Sequence, residues 1–216
     1  LIIEAIREEL DAKRGLFSVI GQACSPTAII SSNSSSIRIS RIQDVTAHPE
    51  RVLNTHFVQP VWKHPFVELM KGTETSDATI QSVAQFMREI AILPVFVRRE
   101  NTGFIFNCIW RSVKRESLRL VDQGIASCED IDRTWMIQME APMGPFALMD
   151  RVGLDVVRDI EMVYYHESGE ERDKPPKLLE NKIRKGELGV KTGMGFYQYP
   201  DPAWQHKDFL NQSSPL

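Results

Sequence analysis

The chain has 216 residues, 42% hydrophobic and 25% charged, the balance of a globular protein with room for one large or two modest domains. A net charge of −3 argues against a nucleic-acid binder, because the basic clusters Arg98-Arg99 and 182–185 are offset by neighbouring acids. No apolar run approaches the ~18 residues a membrane helix needs, and Cys24, Cys108 and Cys128, without metal-like spacing, predict reduced thiols in a cytoplasm-like compartment.

Residues 1–5 (Leu-Ile-Ile-Glu-Ala) read as the end of a buried strand, with no basic region of a signal peptide. The absence of an initiator Met predicts that further residues precede them. Over 8–24, Leu10, Leu16, Phe17 and Ile20 fall at helical spacing. Residues 27–31 read as a strand that ends in the polar run 31–36. Further strands are expected at 52–58, 66–70 and 95–98. A helix is expected over 77–90, with Ser76 as its N-cap. This alternation predicts a mostly parallel α/β sheet over residues 1–100. From 101 to 216 the pattern turns all-helical, with helices over 104–123, 128–139, 144–167 and 175–186. Ser127 ahead of Glu129 and Asp130 marks a helix start, where acids meet the positive end of the dipole.

His56 lies in the strand-like run Asn54-Thr55-His56-Phe57-Val58, followed by Gln59-Pro60. Alone, a His in such a run is most often a hydrogen-bonded core residue. Glu68 alters that reading, because a carboxylate among Pro65-Phe66-Val67 and Leu69-Met70 needs a buried partner. Neighbouring strands joined by the intervening loop would bring Glu68 to His56. A carboxylate on one imidazole nitrogen fixes the tautomer and frees the other to take a proton. The alternative is a polar contact that only holds the loop. Ser31-Ser32-Asn33-Ser34-Ser35-Ser36 follows a strand directly, at the end where α/β sheets bind ligands, although serine runs are usually turns or caps. In Asn101-Thr102-Gly103-Phe104-Ile105-Phe106-Asn107, Gly103 gives a tight helix entry and places Asn107 at the expected domain junction. His48, His56 and His64 with Glu50 and Glu68 match no compact zinc spacing, so no metal is expected.

Taken in order, these segments resemble the 3-hydroxyacyl-CoA dehydrogenases. The resemblance rests on Ser32-Asn33-Ser34-Ser35-Ser36, His56-Phe57-Val58-Gln59-Pro60, Val67-Glu68 and Gly103-Phe104-Ile105-Phe106-Asn107. It continues through Glu129-Asp130-Ile131-Asp132, Pro142-Met143-Gly144-Pro145-Phe146 and Lys191-Thr192-Gly193-Met194-Gly195-Phe196-Tyr197. It implies a Rossmann-like NAD-binding part followed by a helical dimerisation domain, and the oxidation of a 3-hydroxyacyl-CoA in fatty-acid β-oxidation. By position, His56 is then the general base and Glu68 its orienting partner. Ser35 and Asn107 hold the reacting oxygen, and Glu4, Asn33, Ser35 and Gln59 lie at the cofactor. A homodimer through the helical domain is also implied.

There are departures. No Gly-x-Gly-x-x-Gly phosphate loop occurs in the 216 residues, which predicts that this unit lies upstream of residue 1. Gln59 stands where the family usually has Asn, Thr102 where it has Pro, and Trp62 and His64 alter the loop between the catalytic strands. These differences leave open a relative acting on a free 3-hydroxy acid, of the carnitine or gulonate type, and a non-catalytic structural dimer.

Overall fold

Successive side chains of a strand point to opposite faces of its sheet, and both faces of β3 (Val52–Phe57) are buried. Val52 joins a cluster with Ile30, Ile39, Ile42 and, from α1 (Leu10–Ala23), Phe17. Leu53 joins another with Val67, Leu69 and, from α2 (Asp77–Glu89), Ile80, Val83 and Met87. A helix therefore covers each side of the strand, and each such side chain contributes about 1.5–3 kcal/mol by leaving water.

The computed structural model describes residues 1–211, which fall into two compact units, Leu1–Cys108 and the chain from Ile109 on. In the first unit β1 (Ile2–Glu4), β2 (Ile30–Ser32), β3, β4 (Phe66–Lys71) and β5 (Leu93–Val97) lie side by side in that order. β1, β2 and β3 are parallel, β4 runs antiparallel to β3, and β5 is parallel to β4. The expected mostly parallel α/β sheet is present. Ser76 caps α2 as expected, its Oγ accepting from the Thr79 N–H at 3.1 Å. Glu4, Ser32 and Asn54 are register neighbours, so the parallel strands end along one edge, and His56 lies two residues further along β3. Open α/β sheets bind ligands at that edge.

The described residues beyond the sheet are mainly α-helical up to Arg184, and then form short 3-10 turns with isolated β-bridges at Gly189–Met194 and Met194–Gln198. α3 (Phe106–Asp122) starts within the first unit, and α4 (Cys128–Gln138), α5 (Pro145–Val152), α6 (Leu154–Ser168) and α7 (Lys177–Arg184) follow in the second. Leu118, Phe146, Met149, Leu154, Val157 and Leu179 form the second core. Ser127 caps α4 through the Asp130 N–H at 3.0 Å. Several element ends shift by one to three residues, and two differences have a backbone cause. The helix over 144–167 is two helices, because Gly153 adopts φ 101°, outside the right-handed helical region. The helix expected from Phe104 begins at Phe106, because Phe104 itself is left-handed, at φ 55°.

Two buried acids of the helical part serve the backbone. Asp132 accepts the Phe146 and Ala147 N–H groups at 2.8 and 2.9 Å, and Asp150 accepts those of Phe196 and Tyr197, both at 2.9 Å. A Cβ on Gly195 would run into the Asp150 carboxylate, so the motif needs a residue without a side chain there.

Candidate active site

The antiparallel register sets His56 of β3 directly opposite Glu68 of β4. His56 Nδ1 lies 2.7 Å from Glu68 Oε2, and both residues are buried, 4% and 1% exposed. The other carboxylate oxygen, Oε1, accepts the Ile105 and Phe106 N–H groups, both at 2.9 Å. These amides open α3, where the helix dipole favours negative charge. Burial alone pushes the Glu68 carboxyl up, but the His56 bond, the two amides and the His56 charge outweigh it. The net effect holds Glu68 below the usual carboxylate value of 4.5. An ionised carboxylate only accepts, so the proton of this bond belongs to Nδ1. Nε2 is then the nitrogen with an open lone pair, and no hydrogen bond engages it among the described residues.

Phe104 fixes the ring from its face, stacked on His56 with centroids 4.6 Å apart and planes 24° apart. Phe104 is 2% exposed and packs with Met70 and Val97. Its positive φ follows that of Gly103 (φ 82°), and this tight turn delivers the Ile105 and Phe106 amides to Glu68. A bulky side chain at φ above zero is strained, and packing on His56 offsets the cost. Asn107 follows Phe106 in the first turn of α3, half-buried, and its side chain makes no hydrogen bond among the described residues.

The serine loop is ordered residue by residue. Ser31 Oγ bonds Thr55 Oγ1 at 2.9 Å, and Ser32 Oγ donates to Glu4 Oε2 at 2.6 Å. The Phe57 N–H donates to Asn33 Oδ1 at 2.9 Å, which ties the loop one residue from His56. Ser34 and Ser36 both bond Glu8. Within 31–36, only the Ser35 side chain makes no hydrogen bond among the described residues, and Ser35 is exposed. Its hydroxyl is therefore available to a ligand.

The remaining expected cofactor residues divide. Gln59 is exposed and without a hydrogen bond among the described residues. Glu4 is 3% exposed and accepts three hydrogen bonds, from Lys13 Nζ at 2.7 Å and the Ile6 N–H at 2.6 Å on Oε1 and from Ser32 Oγ on Oε2. Sequence reasoning passed over Lys13, Glu8 and Phe104. Lys13 did leave a signal: it interrupts the apolar stripe Leu10-Phe17-Ile20 of α1, and a cation there requires a buried acid.

Comparison with known proteins decides the family. The description "3-hydroxyacyl-CoA dehydrogenase, NAD binding domain" matches residues 1–101, and "3-hydroxyacyl-CoA dehydrogenase, C-terminal domain" matches 103–199. The chain belongs to the 3-hydroxyacyl-CoA dehydrogenase family. It is 37% identical over 199 residues to the 3-hydroxybutyryl-CoA dehydrogenase of Clostridioides difficile, covering 92% of this chain and 70% of that protein. It is 36% identical over 201 residues to the mitochondrial hydroxyacyl-coenzyme A dehydrogenase of Rattus norvegicus, covering 92% and 63%. The crystal structure of (S)-3-hydroxybutyryl-CoA dehydrogenase from Ralstonia eutropha superposes with a TM-score of 0.86 at 34% identity, covering 92% of this chain and 70% of that one.

The cofactor of this 3-hydroxyacyl-CoA dehydrogenase is NAD. Past the edge where β1, β2 and β3 end, Ser35 and Gln59 are exposed and their side chains make no hydrogen bond among the described residues, so both are open to a polar ligand. Among the described residues, no group of His, Cys, Asp and Glu is arranged to hold a metal ion.

Proposed function

We propose that this chain oxidises the 3-hydroxyl of a 3-hydroxyacyl-CoA, with His56 as general base, Glu68 as its electrostatic partner, and Ser35 and Asn107 as ligands of the reacting oxygen. NAD, when bound, supplies the hydride acceptor. His56 Nε2 takes the hydroxyl proton, and as the hydride leaves C3 the C3–O bond becomes a carbonyl. The positive charge gained by the imidazole is met by Glu68, which α3 already holds ionised. Ser35 Oγ and the Asn107 amide are hydrogen-bonding groups with no partner among the described residues, suited to holding the 3-oxygen. Glu4, Asn33 and Gln59 are assigned to the cofactor, with Glu4 tied to the serine loop through Ser32. The observation that carries this reading is the chain of bonds from the α3 amides through Glu68 to His56.

The relatives named above act, by their names, on CoA thioesters, and this does not favour a free 3-hydroxy acid such as carnitine or gulonate. A non-catalytic scaffold would have no use for an imidazole with one nitrogen committed and the other open. Assembly as a homodimer is supported by Val156, Ile160 and Val163, which leave one face of α6 apolar and exposed. A reducing, cytoplasm-like location is supported by Cys24, Cys108 and Cys128, which form no disulfide among the described residues. Among the described residues no helix is long and apolar enough to cross a membrane.

The test is His56→Ala in the full-length chain, with NADH oxidation followed on acetoacetyl-CoA. A positioned base is worth ~10²–10⁴ in rate, so turnover falls by that factor while NADH affinity is kept. Near-normal turnover would remove His56 from the role.

A further inference from the structure

Among the described residues the Ser35 side chain makes no hydrogen bond, yet both of its neighbours are held by one carboxylate. Glu8, in the link between β1 and α1, receives Ser34 Oγ, Ser36 Oγ at 2.8 Å and the Ser36 N–H at 2.9 Å, all on Oε1. Its other oxygen, Oε2, lies 3.4 Å from Lys13 Nζ. That ammonium is buried, 1% exposed, and is itself fixed by Glu4 at 2.7 Å. A rigid ion pair under the sheet edge thus anchors Glu8, and Glu8 anchors the residues on either side of Ser35. Fixing both neighbours fixes the backbone of Ser35 and the direction of its Cβ. Burial pushes the Glu8 carboxyl up, but the Ser34 and Ser36 bonds and the Lys13 charge outweigh it, so it stays ionised at neutral pH.

We propose that Glu8 is a positioning residue for the reaction, aiming the Ser35 hydroxyl at the substrate's 3-oxygen by clamping Ser34 and Ser36 together. The proposal rests on the reading of Ser35 given under Proposed function. It assigns Glu8 no contact with the reacting atoms. Its effect passes through Ser35, and this separates it from a residue that only stabilises the loop.

A double-mutant cycle with NADH and acetoacetyl-CoA tests it, with thermal unfolding followed on every variant. Glu8→Ala is expected to lower kcat by up to ~10²-fold, the scale of an ångström-size misplacement. Glu8→Gln keeps an acceptor oxygen for the same donors and is expected to recover most of that loss. Once Ser35→Ala has removed the hydroxyl, adding Glu8→Ala should change kcat by no more than about twofold, because independent contributions add and coupled ones do not. Multiplicative losses in the double variant would overturn the proposal. So would a kcat loss in Glu8→Ala that tracks unfolding alone, or a Glu8→Gln variant as impaired as Glu8→Ala. Wild-type turnover in Ser35→Ala would overturn the underlying assignment of Ser35 and the proposal with it, leaving that of His56 untouched.

Discussion

Glu68→Gln separates the electrostatic role of this residue from its role in the fold. The substituted amide is nearly isosteric, so its oxygen can still accept the Ile105 and Phe106 amides now at 2.9 Å. The NH₂ group then faces His56 Nδ1 and donates, where the carboxylate accepted at 2.7 Å. Nδ1 must become the acceptor, the proton moves to Nε2, and the nitrogen meant to serve as base is blocked. An equivalent carboxylate-to-amide change beside a catalytic imidazole costs on the order of 10⁴ in turnover through the wrong tautomer. The stability cost is smaller, about 1.5–3 kcal/mol for bonds to a charged group that become neutral ones. We expect steady-state kcat with NADH and acetoacetyl-CoA to fall by roughly 10³–10⁴, with urea unfolding still cooperative and NADH KM little changed. A variant that turns over within about a factor of three of wild type, or loses activity only as it unfolds, would refute the tautomer argument.

Other perturbations bear on the supports of the site. Lys13→Met strands the Glu4 carboxylate in the core and should cost about 3–5 kcal/mol in urea unfolding, the scale of a broken buried pair. Breaking the exposed Arg7–Glu9 pair by Arg7→Ala should stay within about 1 kcal/mol. Gly195→Ala pushes a methyl group into the Asp150 carboxylate, and overpacking of this kind costs about 1–3 kcal/mol, read as a lower Tm at constant pH. The Glu68 carboxyl is held below its ordinary 4.5 in the folded protein, so its stabilising contribution is complete above that pH and is lost as pH falls through the lower folded value. Wild type should therefore lose stability more steeply than Glu68→Gln on acidification below pH 4.5, and parallel curves would contradict the shift.

The catalytic pair was legible because each member breaks an apolar run. A His and a Glu in strands that otherwise bury Val52, Leu53, Val67 and Leu69 must find polar partners, and a short connection makes each the other's nearest choice. Two helix starts were legible from Ser76 and Ser127, whose caps are local chemistry. The break at Gly153 was not, because the apolar spacing continues across it and only the backbone angle interrupts the helix. The freedom of Ser35 was equally hidden. It emerges from where the neighbouring side chains bond, including Glu8, which lies 26 residues from Ser34 in sequence. Phe104 reads as an ordinary apolar helix residue, and only its left-handed conformation turns the ring onto His56.

In the proposed reaction Nε2 of His56 meets the oxygen on C3. A crystal structure of the full-length protein with acetoacetyl-CoA would test it most directly. We expect the 3-oxygen about 2.6–3.2 Å from His56 Nε2, with the Glu68 bond to Nδ1 intact. A bound thioester whose 3-oxygen lies on other side chains, with Nε2 facing only solvent, would contradict it.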